Sequence, residues 1–158
     1  MYLTSQRRKV TALACMLVLS CVVVTQSSCS PDDVSKVKKK VADAAAILNT
    51  AAKSNRSLYQ SGVYGAVGSP EAIAKRQKVA TAIHEANEYL SMAVERAATL
   101  TADSLPSGKT DIVALLQKAA NMLASVHVNN ENIQLVITSA ITAINTAVTL
   151  TLAIKGVN

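Results

Sequence analysis

Residues 30–62, SPDDVSKVKKKVADAAAILNTAAKSNRSLYQSG, decide how this chain folds. Val34, Val37, Val41, Ala44, Leu48, Ala51 and Leu58 recur at steps of three and four, with Asn55 as the one polar interruption of the stripe. That period places one apolar face on an α-helix. The ends agree with it. Ser30-Pro31-Asp32-Asp33 has the form of a helix start, because Ser caps, Pro suits the first helical position and Asp33 closes a capping box. Ser61-Gly62 is the stop, since Gly accepts the left-handed backbone of a helix end.

The same grammar repeats downstream. Ser69-Pro70-Glu71 opens a second segment whose stripe is Val79, Ile83, Ala86, Leu90, Ala93, Ala97 and Leu100, and its stop is expected within Asp103–Gly108. Thr110-Asp111 is the expected cap of a third helix carrying Ile112, Leu116, Ala119, Leu123 and Val126. Asn129 and Asn130 break it, with Asn130 capping a fourth helix headed by Glu131. The alternative is that Val126-His127-Val128 runs on as one long helix. The fold expected for residues 29–158 is therefore all-α: an up-and-down antiparallel bundle of four helices, or of three long ones. Alanines on the stripes imply close helix approach.

From Asn132 to Ile154 the fourth segment carries no charge. It is long enough to cross a bilayer. Its Asn132, Gln134 and Asn145 and its threonines are a heavy polar load for a lipid-facing helix, so a core helix surrounded by the other three is the expected reading. A transmembrane helix over 132–154, as in a small holin-like envelope protein, is the alternative.

Upstream of the bundle, Arg7, Arg8 and Lys9 precede an apolar run from Val10 to Val24. A basic n-region, an apolar h-region and a small-residue exit make a secretory signal over residues 1–28. The run would extend roughly 22 Å as a helix, short of the ~30 Å hydrocarbon core. The three cysteines, Cys15, Cys21 and Cys29, all lie here, so the body has no disulfide framework. Cysteine at the end of such a leader resembles the lipobox of bacterial lipoproteins, in which the thiol is acylated and becomes the mature N-terminus. Val18-Leu19-Ser20-Cys21 carries the apolar residue three before the cysteine, whereas Gln26-Ser27-Ser28-Cys29 follows the full apolar run and precedes a polar tether. Cys29 is the expected acceptor, with Cys21 the alternative. The resemblance implies a palmitate-type anchor in the bacterial cell envelope, facing the periplasm.

Composition narrows the function further. The chain has 158 residues, 50% of them hydrophobic and 3% aromatic, with no Trp or Phe. Few rings are available for stacking nucleobases, which argues against single-strand nucleic-acid binding. Removing Arg7, Arg8 and Lys9 with the leader halves the formal net charge of +6. What remains is local. Lys36, Lys38, Lys39 and Lys40 follow Cys29 closely and would lie beside lipid headgroups if Cys29 is acylated.

No catalytic constellation is legible. Ser107-Gly108-Lys109-Thr110 ends like a phosphate-binding loop, but Asp103 replaces the glycine the motif requires. His84-Glu85 begins like a metalloprotease motif, but Glu88 stands where the second histidine belongs. No metal, cofactor or enzymatic activity is expected. The chain reads as a membrane-tethered module acting through an unidentified protein partner. Its candidate contact loop carries Tyr59, Gly62, Tyr64, Gly65 and Gly68, because loops bear function and Tyr favours interfaces.

Overall fold

A computed structural model describes residues 30–154; the expected signal over residues 1–28, with Cys21, and Cys29 and Lys155 lie outside the described residues. It contains four α-helices: α1 (Pro31–Gln60), α2 (Pro70–Ala98), α3 (Leu105–Ala124) and α4 (Glu131–Ala153). The two Ser-Pro starts form as expected. Ser30 accepts from the Asp33 N–H at 3.2 Å while the Asp33 carboxylate accepts from the Ser30 N–H at 3.3 Å, a complete capping box. Ser69 accepts from the Ala72 N–H at 3.2 Å. Asn130 caps α4 through bonds from the N–H groups of Asn132 and Ile133 at 3.1 and 3.3 Å. Because α3 ends at Ala124 and Val126-His127-Val128 is not helical, the bundle has four helices rather than three long ones.

The α2–α3 connection departs from expectation at both ends. α2 stops at Ala98, earlier than the Asp103–Gly108 region, and α3 begins at Leu105 rather than after Thr110-Asp111. Pro106 belongs to the first turn of α3, where a missing N–H costs nothing because that turn has no intrahelical acceptors. The link before it is closed by Thr101 and Ser104, whose side chains accept from each other's N–H at 3.2 and 2.9 Å. Leu100 is outside any helix yet 6% exposed, folded onto Gly108. A Cβ at Gly108 would lie 2.6 Å from Leu100 Cδ2, so this glycine is there for close approach and not as a helix stop.

α1 packs on α2 and α4, and α3 packs on the same two, which closes a ring of four neighbours. Neighbours run antiparallel. Lys38 near the start of α1 donates to the Ala98 carbonyl at the end of α2 (2.9 Å), and Lys109 in α3 donates to the Ile154 carbonyl just past α4 (3.2 Å). These cations also sit favourably at helix C-termini. Inside the ring lie Val37, Val41, Leu48, Val79, Leu90, Ile112, Leu116, Leu123, Ile133, Ile137 and Ile144, all essentially without exposure. Each such aliphatic side chain contributes about 1.5–3 kcal/mol on burial. Ala86, Ala93, Ala119 and Ala147 are fully buried where helices approach closely.

α4 is not surrounded by the other three helices. It forms one corner of the ring, with Ile133, Ile137, Ala140, Ile144, Ala147, Val148 and Thr151 buried and Asn132, Gln134, Thr138, Thr142, Asn145 and Thr149 exposed. An uncharged run is not thereby a buried one, because hydroxyl and amide side chains hydrate or fold back on their own helix. Thr146 donates to the Thr142 carbonyl and the buried Thr151 to the Ala147 carbonyl, at 2.8 and 2.7 Å.

Candidate functional site

The topology sorts the chain's expected contact residues onto two ends. Ser30, the 99–104 link and Ile154 mark one end, which we call the Ser30 end. The 61–69 and 125–130 loops mark the opposite, distal end.

At the distal end the glycine-rich loop is held, not slack. It turns at Gly62, Gly65 and Gly68, all at positive φ (76°, 125° and 85°), conformations that side-chain-bearing residues rarely adopt. Val63 N–H donates to the Leu58 carbonyl and Gly65 N–H to the Gly62 carbonyl, both at 3.0 Å. Tyr59 is half-buried; its hydroxyl accepts from the Gly68 N–H at 3.0 Å, and its ring lies 5.1 Å from the Arg76 guanidinium carbon. Tyr64 is in the core at 4% exposure, where its hydroxyl donates to Asn55 Oδ1. Burial pushes its phenol up to about 12, although the Arg76 charge pulls the other way. Gly62, Gly65 and Gly68 are exposed at the rim, while Tyr64 works from below as the plug that seats the loop.

Beside this loop is a groove of about 470 Å³, lined by Val63, Tyr64, Lys75, Lys78, His127, Val128, Asn129, Asn130 and Ile133. Its floor is apolar and its rim cationic. Lys75 is held by Glu71 at 2.7 Å, and Lys78 has no carboxylate partner among the described residues. His127 Nδ1–H donates to the Ser125 carbonyl at 3.2 Å, which leaves Nε2 as its free ring nitrogen. Lys75, Lys78 and Asn129 are groove residues that reading along the chain misses. Lys75 and Lys78 come from α2 and Asn129 from the 125–130 loop, far apart in sequence, and only ring closure makes them neighbours.

At the Ser30 end the four lysines separate by helical phase. Successive residues turn by 100°, so Lys36, Lys39 and Lys40 share an outward face while Lys38 turns toward α2. Lys36 pairs with Asp33 at 3.4 Å, and Lys39 and Lys40 approach Asp43 at 3.1 and 3.9 Å. These exposed pairs are each worth only ~0–1 kcal/mol, so the ammonium groups remain free to exchange partners.

The other motifs take structural places. Ser107-Gly108-Lys109-Thr110 lies in the opening turns of α3, and His84 Nε2 stands 3.6 Å from Glu88 on an exposed face. Among the described residues no three His, Cys, Asp or Glu side chains converge as a metal site would require. Compared with family models, curated proteins and solved structures, the chain matches none.

Proposed function

We propose that this chain is a non-catalytic, lipid-anchored module of the bacterial envelope whose bundle presents a protein-contact surface away from the membrane. The observation that carries the reading is the opposition of the two ends. Residue 30, directly after the candidate acceptor Cys29, starts α1, and the 30 residues of α1 span about 45 Å before the distal loops. The distal groove, apolar below and cationic at the rim, suits an acidic or amphipathic segment of a partner protein. Lipidation at Cys29, or at Cys21, would make the lysine face of α1 a neighbour of headgroup phosphates.

Metabolic labelling with a palmitate analogue, combined with membrane fractionation of the full chain, tests the anchor. Label and membrane recovery are expected for the wild type and lost in Cys29→Ala. Loss in Cys21→Ala alone would move the acceptor, and an unlabelled wild type would end the lipoprotein reading. A photo-crosslinking residue at position 67 is expected to capture a protein in intact cells that the same residue at 142 does not. Equal capture at both positions would remove the distal surface from the reading.

The competing reading, a holin-like protein spanning by residues 132–154, rests on α4 being long and apolar enough to cross a membrane. The seating of its aliphatic stripe against α1 and α3 favours the bundle.

A further inference from the structure

A second groove runs along the outside of the α1–α2 pair, with different chemistry from the distal one. Leu48, Ala52, Ala80 and Ile83 supply its apolar lining, and the small alanines leave a cavity of about 260 Å³. Asn49, Asn55, Arg56, Arg76, His84 and Asn87 supply its polar lining. Among the described residues no Asp or Glu lines it. Neither Arg56 nor Arg76 makes an ion pair among the described residues, so two guanidinium groups face one cavity without a counter-charge. Arg76 is oriented by stacking over Tyr59, and its Nε is buried without a hydrogen-bond partner among the described residues. A buried donor of this kind is normally satisfied. Like charges brought together around a cavity disfavour the empty state and favour an anion between them. The guanidinium fork matches the paired oxygens of phosphate and carboxylate.

We propose that the α1–α2 groove binds a small oxyanion-bearing ligand, a phosphomonoester or short dicarboxylate. Arg56 and Arg76 form the charge clamp, and Asn49 and Asn87 are its hydrogen-bonding neighbours; His84 also lines the groove, with its Nε2 3.6 Å from Glu88. The volume lies just under the ~300–1,000 Å³ of pockets for drug-sized molecules, a size that suits a small ligand. The proposal does not rest on acylation or on a distal partner, so its failure leaves the anchored-module reading untouched.

The test uses the purified full chain in non-ionic detergent, titrated calorimetrically with inorganic phosphate in one arm and succinate in the other, at constant ionic strength. Saturable binding at one site is expected, with the tighter arm identifying the ligand class. Arg56→Gln, a change at an exposed side chain, is expected to weaken binding about tenfold or more while leaving the melting temperature of the unliganded protein unchanged. Arg76→Lys keeps the charge, loses the fork and should weaken binding as well. Lys39→Gln, remote from the groove, serves as the control. Absence of saturable binding in both arms, or binding that Arg56→Gln leaves unaltered, overturns the proposal.

Discussion

Asn55 faces the core of a helix built from Val, Leu and Ala, at 4% exposure, and its amide is unfavourable there unless its hydrogen-bonding capacity is used. Tyr64 uses it, reaching back nine residues from the loop to donate to Asn55 Oδ1. Tyr64→Phe should therefore destabilise the protein by about 1–3 kcal/mol in urea unfolding, because a buried acceptor loses its donor. Asn55→Ala combined with Tyr64→Phe should cost less than the two single changes added. The same pair predicts a pH dependence. The Tyr64 phenol ionises near 10 when unfolded and near 12 in the fold, so the unfolded chain releases its proton first. This contribution is whole below about pH 10 and is lost as pH rises toward 12. Absorbance titration should show one tyrosine ionising last, and Tyr64→Phe should flatten the alkaline loss of stability.

At the scale of the element, α1 depends on its first turn and α4 on its outward face. Ser30→Ala removes half of the capping box and should cost about 0.5–2 kcal/mol, seen as faster amide exchange confined to the start of α1. The Asp33 carboxyl titrates below its ordinary value, chiefly because it accepts from the Ser30 backbone N–H, with help from the Ser30 hydroxyl and Lys36. Its stabilising effect is thus present at neutral pH and lost as pH falls through that lowered value; Asp33→Asn should remove this acid sensitivity. In α4, Thr142 and Thr149 are exposed, seven residues apart and so on one face. Lysine at both positions should change stability by no more than about 0.5 kcal/mol and leave the protein, with Cys21 and Cys29 also replaced, extractable by alkaline carbonate. Retention in the membrane pellet, or loss of the protein on introducing the lysines, would instead favour a spanning helix.

At the scale of the molecule, the ring of four antiparallel helices separates a lysine-bearing Ser30 end from a loop-built distal end. Replacing Lys36, Lys38, Lys39 and Lys40 by Gln should weaken association of the full chain with anionic vesicles at low salt, by roughly 1 kcal/mol for each lysine near the surface. Binding that is unchanged and insensitive to salt would exclude headgroup contact. Much of the fold was legible beforehand. Helical period, the Ser-Pro starts and the Asn130 cap are local, and the residues that make them are adjacent in the chain. The α2–α3 link departs from the sequence expectation because Pro106 and Gly108 resemble a helix stop, whereas Leu100 packing over Gly108 makes them the opening of α3. The contact loop was legible as a turn-rich stretch, but Tyr64 was not legible as its buried plug, since nothing local says that Asn55 lies beneath it. Sequence alone determined the helices, their caps and the apolar stripes, because these follow from backbone bonding and side-chain spacing within a few residues. Tertiary structure decided that α4 is a corner and not a centre, that Lys78 and His127 line one groove, and that Arg56 and Arg76 share another. Those relations join residues far apart in the chain, and only antiparallel packing of complete helices brings them together.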